Sequence, residues 1–365
     1  MQRKQLQWHR NEELLKHMEA ENDLGQTFTL FELAQKGVSN LVNRRNELMT
    51  RMSGIEEIAK ENGDIGIFYT LTAPSKYHPY LSKPCKPNPK YGNYSPADTQ
   101  KYMNKVWARI RAKLKRRSIQ PYDFRVVEPH HDGTPHWHIL LFAPKDDIQT
   151  ITEAIRHYTL QEDPYERGAQ KHRATVELID PNKGSATGYI AKYIAKNIDG
   201  KDVGEDLYGR DAVTSALRIR AWASNWKIRQ FDAIGGPSVT VWREARRFAN
   251  QDIAEKILSS INDETLQQII DAADQGDWAA FVKLSGGPTA SKKEQPLRAF
   301  HVIQDKPSKY GETVKKIMGL LASGTHKLVT RLRTWDVRPV PRVNISNNFF
   351  CSSGGANAPP LEFCQ

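Results

Sequence analysis

His136 and His138 flank Trp137 and lead into the apolar run Ile139-Leu140-Leu141-Phe142. If that run is a strand, its side-chain period of two puts His136, His138 and Leu140 on one face and Trp137, Ile139 and Leu141 on the other. Two neutral imidazoles that point the same way can grip one divalent ion while the opposite face enters a core. Glu128 closes an earlier apolar run, Phe124-Arg125-Val126-Val127, and the turn formers Pro129 to Thr134 separate the two runs. A hairpin therefore returns Glu128 beside the histidines. One carboxylate and two imidazoles make a three-ligand site with open positions, which suits a catalytic metal better than a structural one. A His-x-His pair by itself carries a high false-positive risk, and the bland reading is an ordinary half-buried surface. His130 and His131 read as a solvated turn.

The second group of reactive residues lies in Thr187 to Lys196, where Ala, Lys and Ile favour a helix. The i, i+4 spacing stacks Tyr189 over Tyr193, with Lys192 and Lys196 as a parallel cationic stripe beside them that could meet a phosphodiester. A phenol is a poor nucleophile near neutral pH because its pKa is about 10. It needs help from a cation to attack a phosphodiester. Tyrosines at helical spacing more often serve packing, so the weight rests on the combination with the histidines.

Two histidines around a bulky apolar residue on a strand, followed by a Tyr-x-x-x-Tyr helix, resemble the HUH endonuclease superfamily. The stretch from about Ile67 to Phe248 is similar, more closely, to the phage replication gene A protein family of rolling-circle initiators. Four segments carry the resemblance: Phe68 to Pro74, Glu128 to Phe142, Gly188 to Lys196, and Arg220 to Phe231. It implies a split β-α-β sheet with the histidines on a central strand, and Mg2+ or Mn2+ held by His136, His138 and Glu128. By ligand preference alone zinc fits two imidazoles equally well. The implied reaction is attack by Tyr189 or Tyr193 on single-stranded DNA at a phage origin, leaving a 5′-phosphotyrosyl link and a free 3′-hydroxyl that primes synthesis. The second tyrosine would cut again after one round, and the hydroxyl released by that cut would reseal the first end. Host helicase and replication machinery are the further partners that the resemblance implies. Members of the family are longer, which implies a shortened version here.

These groups must be positioned by an α+β fold with a central antiparallel sheet. A helical segment is expected over 1–62, where Thr29-Leu30-Phe31-Glu32 has capping-box form. The endonuclease domain is expected over 63–248. It should contain a strand at Ile65 to Leu71, a long loop from Pro74 to Pro96, a helix near Ile148 to Leu160 and a strand around Ala174 to Ile179. Residues 249–325 read as a helical accessory region, with a helix starting at Asn262-Asp263-Glu264 and a connector at Ser285 to Pro296. Over 326–365 the expectation is a strand-like stretch, His326 to Val337, and a disordered tail from Asn344.

The chain has 365 residues and a formal net charge of +11, from 53 Lys and Arg against 42 Asp and Glu. That balance points to a polyanionic partner without identifying it. From Lys101 to Arg117 there are eight basic residues and no acidic one, while Met103, Trp107, Ile110 and Leu114 recur at near-helical spacing. This predicts an amphipathic helix whose basic face can track single-stranded DNA towards the metal. Trp222 and Trp226 read as core packing rather than base-stacking platforms. Three scattered cysteines, Cys85, Cys351 and Cys364, argue against a disulfide framework or a cysteine zinc cluster. The start lacks the apolar stretch of a secretory signal and no long apolar segment follows, so the expected location is the bacterial host cytoplasm. Rival readings are a DNA-binding replication protein in which the His and Tyr residues only pack, a zinc-stabilised fold, and a relaxase or transposase of the same superfamily.

Overall fold

The computed structural model describes residues 2–81, 86–200, 204, 211–304, 307–308 and 311–340. At its centre lie strands β1 (Ile65–Thr72), β2 (Tyr122–Pro129), β3 (Pro135–Ala143), β4 (Ala174–Leu178) and β5 (Phe231–Ile234). They form one five-stranded sheet in the order β4-β1-β3-β2-β5, and every neighbouring pair is antiparallel. The fold is therefore α+β, with β3 in the middle of the sheet.

Both faces of that sheet are covered, which explains why β2 and β3 are apolar on alternate and intervening positions alike. On one face Phe68, Phe124, Val126, Leu140 and Phe142 meet helices α1 (Leu41–Asn62), α4 (Ala186–Ile198) and α6 (Val239–Ala249). On the other, Trp137, Ile139 and Leu141 meet α2 (Pro96–Lys115) and α3 (Ile148–Thr159). Burying each such side chain is worth roughly 1.5–3 kcal/mol. The histidine strand's alternation thus matches the expected face assignment.

Local signals set the helix ends. Asn40 caps α1 by accepting from Val42 N, and Gly63 ends it in the left-handed region at φ 71°. Ser95 and Asp98 form a capping box on α2, with Pro96 at its first turn. Inside α1, Gly54 lets the Trp278–Leu284 helix approach so closely that a Cβ would stand 2.8 Å from the Ala279 backbone nitrogen. The capping box at Thr29 and Glu32 is also present, on the short helix Leu30–Lys36.

Several expectations need correction. Residues 1–62 are not wholly helical, because Met18–Asn22 and Thr27–Thr29 are strands of a second sheet whose third strand is Trp335–Pro339. Met-Glu-Ala-Glu-Asn is short and polar, and its partner lies at the far end of the sequence; Arg338 binds Glu19 across that pair at 2.8 Å. Residues 249–325 begin as three helices, Ala254–Ile261, Glu264–Gln275 and Trp278–Leu284, with Asp263 as a cap. They then turn into strands Leu297–Ile303 and Lys315–Ala322, which join His326–Val329 in a third sheet. The strand expected over His326 to Val337 is divided between the two smaller sheets.

The amphipathic basic helix is present as α2, with Met103, Trp107, Ile110 and Leu114 buried. It packs on the face opposite the histidines, and Trp137 Nε1 donates to Gln100 of α2 at 3.0 Å. Its basic outer surface therefore does not run directly to the imidazoles. No helix among the described residues is long and apolar enough to cross a membrane. Cys85, Cys351, Cys364 and the tail from Asn344 lie outside the described residues.

Candidate active site

Three adjacent strands build the site. Across the β2–β3 pair Glu128 stands opposite His136, and across the β1–β3 pair Thr72 and Thr70 stand opposite His136 and His138. Directly opposed residues point to the same face, so hydroxyls, imidazoles and carboxylate share one surface. The hairpin that sets this register turns through Asp132, whose carboxylate accepts from Thr134 N, and Gly133 at φ 84°. Its tip is held by α5 (Ala212–Asn225), where Trp222 Nε1 donates to the Gly133 carbonyl at 2.9 Å. Half-buried Trp222 and Trp226 pack against the core, in line with their reading as packing residues.

Each threonine oxygen lies 3.2 Å from an imidazole Nδ1, Thr72 at His136 and Thr70 at His138. An Nδ1–H donated to such a hydroxyl leaves Nε2 as the lone-pair atom and fixes the ring plane. The two rings stand 4.7 Å apart at 84°. Burial, then the positive charge of neighbouring His130 and His138, pushes His136 well below the ordinary histidine range, so it stays neutral as a metal ligand must. These two imidazoles fit a divalent cation.

Glu128 approaches His138 Nε2 to 3.8 Å, as the hairpin predicted. Its two oxygens are already engaged by α4: Lys196 Nζ lies 3.0 Å from Oε2, and Asn197 Nδ2 donates to Oε1 at 2.9 Å. Lys196, expected on DNA phosphate, thus directs its charge at a buried carboxylate. Among the described residues no group of three or more His, Cys, Asp or Glu side chains is arranged so that it could hold a metal ion. Burial alone would raise the Glu128 carboxyl, but hydrogen bonding and charge from His138 and Lys196 outweigh it and hold it at about 2. A depressed carboxyl contributes stability that is complete above its unfolded pKa and disappears as pH falls through its folded one. The expected loss between about pH 4.5 and 2 is on the order of 3 kcal/mol. Urea titrations at pH 7 and pH 3 test this, because Glu128→Gln should flatten that part of the acid dependence.

The other end of α4 is fixed by a second buried carboxylate. Glu56 of α1 accepts from Ala186 N at 3.2 Å and Thr187 N at 2.8 Å, while Ser185 caps Gly188 N. Between these anchors Tyr189 and Tyr193 both face the sheet. The Tyr193 ring lies 4.1 Å from the His138 ring and stacks on Phe68 at 5.6 Å. Tyr189 meets the edge of Phe68 at 4.9 Å, and its hydroxyl donates to Glu177 of β4. Lys192 Nζ sits 5.2 Å from one phenol ring and 5.1 Å from the other. Burial, then the negative charge of Glu128 and Glu177, raises the Tyr193 phenol. Burial and the Glu177 hydrogen bond push Tyr189 up to about 12. Both phenols are therefore held protonated, and either would need local positive charge to ionise.

The structure brings together all the expected residues of the site, with Tyr193 nearer the histidines than Tyr189. Residues not anticipated are Thr70, Thr72, Glu56, Glu177 and Asn197. The alternation Thr70-Leu71-Thr72 was visible, but its meaning depends on the β1–β3 register. His130 needs correction: it is half-buried, and its ring lies 4.0 Å from that of His136. Exposed His131 matches the solvated-turn reading.

Comparison with known proteins places this geometry in context. The family model described as bacteriophage replication gene A protein matches residues 1–201. The replication gene A protein of Escherichia phage 186 is 41% identical over 360 residues, covering 96% of this chain and 50% of that protein. Its counterpart in Escherichia phage P2 is 37% identical over 371 residues, covering 97% and 48%. A probable replication endonuclease from a prophage-like region of Salmonella paratyphi A is 34% identical over 379 residues, covering 99% and 46%. The chain spans about half the length of these curated relatives. No solved structure matches it.

Proposed function

The chain belongs to the bacteriophage replication gene A protein family, and we propose that it initiates phage DNA replication by nicking and rejoining single-stranded DNA at the origin. In this reading the five-stranded sheet is the HUH-type platform, working in the bacterial host cytoplasm. The observation that carries the proposal is the Tyr193 phenol ring against His138, whose Nδ1 is held by Thr70.

A bound Mg2+ or Mn2+ would polarise the scissile phosphate and offset its charge. His136 and His138 would hold it through Nε2, and Glu128 would complete the set by exchanging Lys196 for the cation. Lys192, above both rings, stabilises the phenolate that forms as the Tyr193 oxygen attacks phosphorus. The new O–P bond replaces the bond to the departing 3′-oxygen, which takes up a proton to become the 3′-hydroxyl. The 5′-phosphoryl group stays on tyrosine, so the energy of the phosphodiester is kept. After one round of synthesis Tyr189 can cut a second site, and the 3′-hydroxyl released there attacks the Tyr193 ester, which frees the Tyr193 phenol and reseals the strand.

Incubating the protein with random-sequence single-stranded DNA and Mn2+, then digesting it, should yield peptides spanning 188–196 that carry nucleotides. Mass spectrometry reads the attachment directly. The pairing of Glu128 with Lys196 favours one other reading, a DNA-binding replication protein with no cleavage. Retained DNA affinity with no adduct at any divalent-ion concentration would decide for that reading.

A further inference from the structure

Beside the imidazole pair lies a cavity of about 490 Å³ that the cleavage reaction does not use. It opens between the end of β1, the following loop and the segment around Gly168. Thr72, which holds His136, forms part of its wall, and so does His130, whose ring lies tilted against that of His136. The cavity therefore begins one side chain away from the candidate catalytic centre. Its size falls within the range of small-ligand pockets.

The wall has an unusual polar pattern. His78 Nδ1 binds the buried Asp132 carboxylate at 2.9 Å, which leaves its Nε2 as the hydrogen-bonding atom that remains. The Nε2 atoms of His78 and His130 are both buried and, among the described residues, have no hydrogen-bond partner. A buried polar atom without a partner costs free energy that a ligand can return. The wall's carboxylate at Glu166 is committed internally, accepting from Ser75 N at 3.0 Å and from Arg173 at 2.8 Å. Negative charge thus does not dominate the interior. At the rim Tyr80 is 46% exposed, and Lys90 and Arg167 are exposed cations. Tyr165, next in sequence to the lining residues, is 99% exposed.

We infer that this cavity takes one unstacked nucleobase of the DNA strand, read by His78 and His130, with Tyr80 stacking at the rim and its phosphates on Lys90 and Arg167. A base presents a flat π face and hydrogen-bonding edges, while the strand's charge stays outside. That division matches aromatic and cationic groups at the mouth and two imidazole nitrogens in depth. The inference rests on the proposed action on single-stranded DNA and adds base discrimination beside the scissile phosphate.

The test is fluorescence anisotropy with 12-nucleotide oligo-dA, oligo-dC and oligo-dT, all in EDTA so that cleavage plays no part. Wild-type affinities should differ by about tenfold between the best and worst of the three, since a base with the wrong edge leaves a ring nitrogen unpaired. Tyr80→Ala, at an exposed position that spares the fold, should weaken the best ligand by about tenfold. His78→Gln keeps a donor for Asp132 and should erase the preference while retaining binding. Equal wild-type affinities for the three oligomers, or a preference unchanged in both variants, would overturn the pocket. Base-indifferent binding by a protein that still forms the tyrosyl adduct removes the pocket alone. A missing adduct with base-selective binding removes the cleavage reading alone.

Discussion

Tyr193→Phe should reduce the first covalent cut by about 10⁴-fold or more, the scale on which loss of a nucleophile is felt. The ring that packs on Phe68 and His138 remains, so the variant should melt with the wild type and keep its DNA affinity. Tyr189→Phe should leave the first cut within about tenfold, because Tyr189 lies beyond Phe68 and is tied to Glu177. It should instead block the second cut and the joining that depends on it. Single-turnover adduct formation, followed by transfer to a second labelled strand, separates the two stages. Loss of the first cut in Tyr189→Phe, with Tyr193→Phe active, would reverse the order inferred from the geometry.

His136→Ala and His138→Ala should each lower Mn2+-dependent adduct formation by on the order of 10³-fold, comparable to removing an electrostatic contact from a transition state. Both imidazoles are oriented by threonine, so Thr72→Val offers a milder version. Losing the Nδ1 partner of His136 should weaken metal affinity by about 10–100-fold while the Nε2 atom survives. Mn2+ titration followed by electron paramagnetic resonance measures affinity apart from activity. High activity in chelator, or unchanged Mn2+ binding in both alanine variants, would remove the metal from the mechanism.

Local periodicity made the centre of this molecule readable. The alternation in His136 to Phe142 and the turn at Asp132-Gly133 were enough to place Glu128 across from His136, because a hairpin joins near neighbours in sequence. The tyrosine helix followed from its composition and spacing. What sequence could not show was pairing between distant segments. Thr70 and Thr72 meet the histidines only through the β1–β3 register, and Glu177 meets Tyr189 only because β4 lies beside β1. The pairing of Met18–Asn22 with Trp335–Pro339 is obscured for the same reason, with polar residues on a small sheet and no turn that joins the two strands. The burial of His130 is not legible in the sequence, because a turn residue is ordinarily solvated, whereas this turn folds back onto the imidazoles and is clamped by Trp222.

The two carboxylates at opposite ends of α4 have a mechanical consequence. Glu56 grips its first turn and Glu128, through Asn197, its last, so the helix resembles a shelf bolted to the wall at both edges. Tyr189 and Tyr193 are separated by about 6 Å along such an axis. A shelf fixed in this way cannot seesaw to offer first one hydroxyl and then the other. Successive phosphates would have to be delivered to stationary oxygens, which assigns the travel during strand exchange to the nucleic acid. Loosening either bolt should trade that fixed geometry for slack, and joining, which needs both oxygens in place, should suffer more than the opening cut.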